Sequence, residues 1–258
     1  MVPVPGTRDH GQSLIFSLAS RHPPTDDLTL FFRRGIMNLR CIIFDMDGTL
    51  TETNRLIFDS FNFIVQKYKG RTLPDHEITA LFGPPEEGAL VQIVGEDRLG
   101  RAMEEYLEYY RSNHRRLARL VPGMKEVLED IRAKGRHTAL FTGKGVHTTT
   151  ITLQEFGLTG YFDFVVTGND VQHHKPSAEG ILKILRHFQV EAHEAVMVGD
   201  AVADVKAARE AGVPIAAVLW DSYGKERVLR MKTDFVFHNV HEFHDWLRKR
   251  LDETTHVA

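Results

Sequence analysis

Two aspartates at the end of an apolar segment are the residues around which the sequence is organised. Segment 41–44 reads Cys-Ile-Ile-Phe, and Asp45 and Asp47 follow it, one residue apart, just before Gly48. A short continuous apolar run is typical of a buried strand, and a glycine marks the turn where the chain leaves the sheet. Ligands of parallel sheets bind at the carboxyl ends of the strands. The spacing therefore places two carboxylates where a reaction can occur.

A glycine-rich loop forms a candidate phosphate site. Residues 142–145 read Thr-Gly-Lys-Gly, between a predicted strand over 138–141 and a predicted helix that starts at Val146. Backbone N–H groups at a helix start, together with the Thr142 hydroxyl, can hold phosphate oxygens where the helix dipole favours an anion. The loop is not a Walker A loop, since Lys144 is followed by glycine rather than by Ser or Thr. By itself, a glycine turn after a strand is usually only a turn.

Asp200 and Asp204 are candidate metal ligands. They follow a predicted strand over 195–198 and lie four residues apart on the first turn of a helix, hence on one face. For this pair alone, an N-cap aspartate plus one that stabilises the helix dipole is the alternative. Combined with Asp45 and Asp47, the pair offers the hard oxygen ligands that Mg²⁺ prefers.

Lys175 is the candidate cation. It lies in the loop after a predicted strand over 164–166, and its flexible ammonium can neutralise both a carboxylate and a phosphate. A loop lysine taken alone is almost always a solvated charge. His173 and His174 beside it are interpreted as ordinary polar residues.

Composition excludes several classes of protein. The 258 residues are 42% hydrophobic, which is enough for a sizeable core, and the net charge of −3 provides no field that would gather nucleic acid or a membrane surface. Cys41 is the single cysteine, so a disulfide framework is excluded. No apolar run approaches the roughly 18 residues of a membrane span. We expect a cytoplasmic protein without nucleic-acid or membrane partners, monomeric or homodimeric.

The hydrophobic periodicity divides the chain into three parts. Residues 1–36 are rich in turn formers and are expected to be a poorly ordered extension, and one hypothesis makes Met37 the natural start. Residues 52–120 carry apolar side chains at helical spacing and predict an all-helical block. Residues 37–51 and 121–258 alternate strands with helices, which predicts an α/β core with a Rossmann-like parallel sheet. Helices are predicted over 55–68, 78–82, 89–94, 99–117, 124–134, 146–156, 178–188, 202–211 and 240–251, and further strands over 215–219 and 235–237.

Together, the four polar segments resemble the four motifs of the haloacid dehalogenase superfamily. The aspartate pair alone would also fit a solvated turn or the metal-nucleotide clamp of a glycosyltransferase. The resemblance covers residues 38 to about 250, and the helical block is similar to that superfamily's first type of cap. Residues 121–123, Val-Pro-Gly, and the stretch 141–158 resemble the phosphoglycolate phosphatase-like branch.

The resemblance implies a role for each carboxylate. Asp45 would attack phosphorus and form an aspartyl-phosphate, and Asp47 would act first as general acid and then as general base. Mg²⁺ would be held by Asp45, the Asp47 main-chain carbonyl and Asp200, with Asp204 binding directly or through water.

The resemblance also implies a set of phosphate-binding residues. Thr142, the Gly143 amide and Lys175 would bind the transferring phosphoryl group. Lys144 and Thr49 belong to the same set, and Thr49 would in addition orient Asp47. The presence of Asp47 argues against dehalogenase activity, because the superfamily's dehalogenases lack that aspartate.

The function predicted on this basis is Mg²⁺-dependent hydrolysis of a small phosphate monoester, with phosphoglycolate as the nearest guess. A phosphomutase acting on β-glucose 1-phosphate is the alternative from another enzyme class, and pyrophosphate is a further candidate substrate. A non-catalytic binding protein on the same fold is disfavoured by the complete set of acidic positions. The core motifs do not separate hydrolase from mutase.

Overall fold

The structure, a computed structural model, describes residues 38–222 and 224–253, so the expectation for residues 1–36 lies outside it. The strands are β1 (Cys41–Phe44), β2 (Thr51–Glu52), β3 (Arg119–Leu120), β4 (His137–Phe141), β5 (Phe164–Val166), β6 (Ala195–Gly199), β7 (Ile215–Val218) and β8 (Phe235–Phe237). Six of them form one sheet in the order β5-β4-β1-β6-β7-β8, and every neighbouring pair is parallel. This confirms the predicted α/β class.

Helices cover both faces of the sheet because β1 and its neighbours are apolar on both sides. Ile42 and Phe44 face one core cluster, and Cys41 and Ile43 face the other. Strands buried on both faces are typical of parallel sheets. The helices are α1 (Asn54–Lys69), α2 (Asp75–Thr79), α3 (Glu86–Val94), α4 (Glu96–Leu117), α5 (Met124–Ala133), α6 (Val146–Glu155), α7 (Glu179–Phe188), α8 (Val202–Ala211), α9 (Lys225–Leu229) and α10 (Val240–Glu253).

Helices α1 to α4 form a block that is inserted after β1 and has a hydrophobic cluster of its own. The chain enters this block through β2 and leaves it through β3, and these two short strands pair antiparallel, with Thr51 opposite Leu120. Ile151 of α6 packs into the cluster of the block, and the hydroxyls of Tyr110 and Thr152 share a hydrogen bond of 2.9 Å. The block therefore rests on the sheet domain through α6.

The second predicted helix differs from the observed one. It was expected over 78–82, but α2 ends at Thr79, and Leu81 and Phe82 follow it in two tight turns with N–H···O distances of 3.0 and 3.2 Å to carbonyls three residues back. Gly83, with a φ of +135°, and then Pro84 and Pro85, which lack the N–H of a continuing helix, prevent this helix from extending beyond Phe82.

Two other boundaries shift by the same number of residues. Helices α3 and α4 each begin three residues earlier than predicted, at Glu86 and Glu96. The sequence did not predict β2, β3 or α9. In the described part of the chain, no helix has both the length and the apolar character needed to cross a membrane.

Candidate active site

The sheet order brings the predicted site residues together. Strand β1 lies between β4 and β6, and Phe44 at its end pairs with Leu140 on one side and Val198 on the other. The loops after these three strands therefore open at one place. There, a cavity of about 210 Å³ is lined by Asp45, Asp47, Thr142, Gly143, Lys144, Lys175, Asp200 and Asp204 from the sheet loops.

Three of the predicted carboxylates form one buried cluster. Oxygens of Asp45, Asp200 and Asp204 lie within 4.8 Å of one another, and the three residues are 7%, 5% and 1% exposed. Burial raises the pKa of Asp45 and that of Asp200; the charge of Lys175 opposes the rise, and the neighbouring carboxylates add to it. Without a positive charge nearby, ionisation of all three carboxylates in the cluster is therefore unfavourable.

Lys175 bridges two members of this cluster. Its ammonium donates to Asp45 Oδ1 at 2.5 Å, to Asp204 Oδ1 at 2.7 Å and to the Phe141 carbonyl at 2.9 Å. Burial alone would lower the pKa of Lys175, but the charges of Asp204 and Asp45 outweigh it and hold that pKa above its usual value. Lys175 is thus a fixed cation rather than a solvated one.

The charge balance of the cluster fits a divalent metal ion. Within the described residues, Lys175 is the ammonium that contacts the cluster, so one positive charge faces three carboxylates. Asp200 accepts one side-chain hydrogen bond, from the Thr49 hydroxyl at 3.2 Å. An all-oxygen donor set with surplus negative charge is suited to Mg²⁺, which prefers carboxylates and water.

Asp47 lies beside the cluster with partners of its own. It accepts a short hydrogen bond from the Thr53 hydroxyl, and the Lys144 ammonium lies 3.4 Å from its Oδ1. Burial opposes the charge of Lys144, but Asp47, Tyr110 and Glu86 outweigh burial and hold the pKa of Lys144 above its usual value. Lys144 also lies over the Tyr110 ring, 4.8 Å from its centroid.

The role expected for Thr49 needs correction. Its hydroxyl donates to Asp200, and the hydroxyl that contacts Asp47 belongs to Thr53. Thr49 is fully buried and does not line the cavity, so the structure does not support the phosphate-binding role predicted for it. The resemblance implied this role, but Gly48 turns the chain between Asp47 and Thr49, and the Thr49 hydroxyl meets Asp200 instead.

Gly48 makes this turn possible. Its φ is +82°, a backbone conformation that glycine adopts without strain, and a Cβ there would lie 2.5 Å from Asp200 Oδ2. The glycine thus lets the backbone after Asp47 approach the Asp200 carboxylate directly.

The glycine-rich loop 142–145 has the expected local geometry. The Thr142 hydroxyl accepts the Lys144 N–H at 3.2 Å, and Gly143 lines the cavity. Helix α6 starts immediately after this loop, at Val146. The three residues predicted to bind phosphate in this loop therefore all line the cavity: Thr142, Gly143 and Lys144.

The wall opposite the sheet loops comes from the helical block. Its side chains are Asn54, Ile57, Phe61, Leu81, Phe82, Pro84 and Glu86. Glu86 is 7% exposed and accepts the Gly145 N–H at 2.7 Å and the Thr148 hydroxyl at 2.6 Å. The helical block therefore contacts the loop that carries Lys144 through a buried carboxylate.

Sequence reasoning missed three residues of the site. It assigned no role to Glu86, Thr53 or Asn54. The Asn54 amide donates at 3.1 Å to Asp221, a residue that no motif indicated. Only the position of Glu86 next to two prolines could have drawn attention, since it marks a helix start.

Comparisons with known proteins agree with this geometry. The sequence model of the haloacid dehalogenase-like hydrolases matches residues 42–218. Pyrophosphatase PpaX of Anoxybacillus flavithermus is 30% identical over 204 residues, covering 79% of this chain and 94% of that protein. A structure described as a predicted phosphoglycolate phosphatase from Haemophilus somnus 129pt has a TM-score of 0.69 at 22% identity, covering 83% of this chain and 98% of that chain. CbbY from Rhodobacter sphaeroides, in complex with phosphate, has a TM-score of 0.67 at 19% identity, covering 80% and 96%.

Proposed function

The chain belongs to the haloacid dehalogenase-like hydrolase family, and from this premise we propose that it is a Mg²⁺-dependent phosphatase that hydrolyses a small phosphate monoester through a phosphorylated Asp45. The observation that carries the proposal is the contact of one buried ammonium, Lys175, with both Asp45 and Asp204, at 2.5 and 2.7 Å. This pairing holds a carboxylate oxygen and a positive charge next to loop 142–145, as attack on a phosphate ester requires.

The proposed reaction has two steps. Asp45 attacks phosphorus, so that an oxygen–phosphorus bond forms to its carboxylate and the bond to the ester oxygen breaks. Asp47 gives its proton to the departing alkoxide, then takes a proton from the water that attacks the aspartyl-phosphate and restores Asp45. The short hydrogen bond from Thr53 and the ammonium of Lys144 hold Asp47 for both transfers.

The remaining loop residues bind the phosphoryl oxygens. We assign this task to the Thr142 hydroxyl, the Gly143 amide, Lys144 and Lys175, all of which line the cavity. Asp45, Asp200, the Asp47 main-chain carbonyl and Asp204, directly or through water, would hold Mg²⁺, which neutralises charge on the phosphoryl group when bound.

The substrate is small in this proposal. A cavity of about 210 Å³ is below the range of roughly 300–1,000 Å³ that is typical of pockets for larger ligands. Residues 52–120 would act as a cap over the core formed by 37–51 and 121–258, and closure of such an element shields the reaction from bulk water.

Pyrophosphate is a second candidate substrate. It is favoured by one specific observation, the name of the relatives from Anoxybacillus flavithermus and Bacillus cereus, both pyrophosphatase PpaX and both 30% identical. In that reaction the leaving group is phosphate rather than an alkoxide, and Asp45 would act in the same way.

The test is phosphate release from p-nitrophenyl phosphate, phosphoglycolate, pyrophosphate and β-glucose 1-phosphate, with Mg²⁺ or with EDTA. We expect release that requires Mg²⁺ and is strongest for one small ester. Release from pyrophosphate alone would replace the monoester by the second candidate. Conversion of the sugar phosphate without release, once a bisphosphate is added, would show a phosphomutase instead.

A further inference from the structure

The ammonium of Lys144 is a buried donor without an acceptor. Lys144 lines the cavity and is 6% exposed, and among the described residues its Nζ atom makes no hydrogen bond. Asp47 Oδ1 lies 3.4 Å away, and the hydroxyl of Tyr110, whose ring lies against the ammonium, is paired with Thr152. A buried polar group without a partner is unusual in a folded protein, and an ammonium offers several donors. The pattern indicates a group whose hydrogen bonds are completed by a ligand.

Asp47 places this ammonium on the leaving-group side of the reaction. Thr53 and Lys144 both contact Oδ1 of Asp47, which leaves Oδ2 for the proton that the departing oxygen receives in the proposed reaction. A general acid must lie within hydrogen-bond reach of the oxygen that it protonates. Because Lys144 contacts the same carboxyl group, its ammonium lies next to the first atoms of the leaving group. Lys175, by contrast, contacts the nucleophile Asp45 and lies on the side of attack.

The carboxylate of Glu86 does not neutralise this positive charge by pairing with it. Both of its oxygens are used, Oε2 by the Gly145 N–H at 2.7 Å and Oε1 by the Thr148 hydroxyl at 2.6 Å. These donors lie at the start of α6, where the helix dipole offsets a negative charge. Among the described residues, Asp47 is the only carboxylate at ion-pair distance from Lys144, and it is protonated when it acts as general acid. At that stage, an anion on the leaving group meets an ammonium that is free to bind it.

From these contacts, and resting on the proposed function, we propose that the enzyme selects phosphate compounds whose leaving group carries an anionic group close to the scissile bond, with Lys144 as the specificity-determining residue that binds this group. Phosphoglycolate and pyrophosphate both meet this requirement, since their leaving groups are a carboxylate-bearing alcohol and a phosphate. β-Glucose 1-phosphate does not, because the sugar that departs is neutral. The charge of the leaving group, rather than its shape, is thus what the two candidate substrates share.

A matched pair of esters tests the proposal in the wild type. Phosphoglycolamide has the shape of phosphoglycolate, but a neutral amide replaces the carboxylate. With Mg²⁺, the better of phosphoglycolate and pyrophosphate should exceed phosphoglycolamide in kcat/KM by about tenfold or more, because the amide cannot accept a charge-assisted hydrogen bond. Hydrolysis of phosphoglycolamide that equals or exceeds that of both anionic substrates would overturn this proposal while leaving the phosphatase activity established. No release from these three compounds or from p-nitrophenyl phosphate would overturn the proposed function together with it.

Lys144→Met then assigns the selection to its residue. The variant keeps an unbranched side chain but removes the ammonium, so kcat/KM for the anionic substrate should fall at least about tenfold further than kcat/KM for phosphoglycolamide, mainly through KM. A loss of equal size for both substrates would show that Lys144 serves only Asp47 or the transferring phosphoryl group, and would contradict the proposal. Exposed Lys206→Met removes the same charge elsewhere and should leave the ratio of the two values unaltered.

A second variant keeps the proposal testable if Lys144→Met does not fold. In Glu86→Gln the side-chain oxygen can still accept the Gly145 N–H and the amide can donate to the Thr148 hydroxyl, so the contact is kept while a negative charge in the cavity lining is lost. The ratio of kcat/KM between the anionic substrate and phosphoglycolamide should therefore rise by about threefold. Exposed Glu104→Gln makes the same charge change and should leave the ratio unaltered. A ratio that stays constant or falls in Glu86→Gln would contradict the view that charge beside Lys144 selects the leaving group.

Discussion

The sheet loops and the helical block meet at one cavity but contribute opposite surfaces to it. The loops bring four aspartates and two lysines, and these are fixed by hydrogen bonds and ion pairs such as those from Lys175 to Asp45 and Asp204. The helical block brings mainly apolar side chains and one carboxylate, Glu86. The side chains of the charged surface are positioned by the ends of strands. Those of the apolar surface are positioned by a helix and by the turns after α2.

This difference separates two tasks. Strand ends in a parallel sheet have nearly fixed relative positions, so groups on them can be held to the precision that phosphoryl transfer needs. Residues such as Leu81 and Phe82 follow a short helix and are not part of the two core clusters that cover the sheet. We therefore assign the reaction and the selection of the leaving-group charge to the loops, and the enclosure of the leaving group to the helical block.

The largest effect is expected at the nucleophile. Asp45→Asn should lower kcat by more than about 10³-fold, because an amide cannot form the aspartyl-phosphate. The fold should persist, since burial raises the pKa of Asp45 and a neutral side chain relieves repulsion in the cluster. Phosphate release and the midpoint of thermal unfolding are the measurements, with exposed Asp97→Asn as control. Activity close to wild type would rule out the covalent mechanism.

A smaller loss of activity, with a loss of stability, is expected at the cation. Lys175→Met should lower kcat by about 10²-fold, and with EDTA it should lower the free energy of unfolding by about 3 kcal/mol, because the buried carboxylates lose their ammonium. Exposed Lys206→Met should change neither quantity. If Lys175→Met unfolded like the wild type in denaturant titrations, the cluster would not depend on this ion pair.

The sequence predicted the sheet loops far better than the helical block. The run 41–44 is apolar throughout, short, and followed by a glycine turn, which predicts a buried strand with the aspartates at its carboxyl end. The predicted end of α2 was wrong because the apolar Leu81 and Phe82 continue the helical spacing, although both lie in turns after the helix has ended. Strands β2 and β3 have two residues each, too few for any alternation to show.

Contacts inside the site were less predictable than its composition. Asp45, Lys175, Asp200 and Asp204 were identified from the sequence, and the structure brings them together. The exchange of roles between Thr49 and Thr53 depends on a turn of the backbone that no residue spacing encodes. The contact of Glu86 with Gly145 joins residues 59 positions apart in the chain, so only the docking of the block on α6 reveals it.

The smallest expected effect lies where the two surfaces join. Asn54, the first residue of α1, donates to Asp221 after β7 at 3.1 Å. Burial, with the charge of Glu52, raises the pKa of Asp221 to about 6, against the opposing charge of Arg119. A carboxyl whose pKa is raised on folding stabilises the folded state below its ordinary pKa, and that contribution is lost as the pH rises through about 6.

Asp221→Asn keeps an acceptor for Asn54 but removes the titration. Its midpoint of thermal unfolding should exceed that of the wild type by about 1–2 °C at pH 7.5, a small gain because the half-buried group is partly screened. The difference should close as the pH falls through about 6 towards 4. A pH-independent difference for Asp221→Asn would mean that this junction holds an ordinary carboxylate, and that the helical block meets the sheet loops without burying charge there.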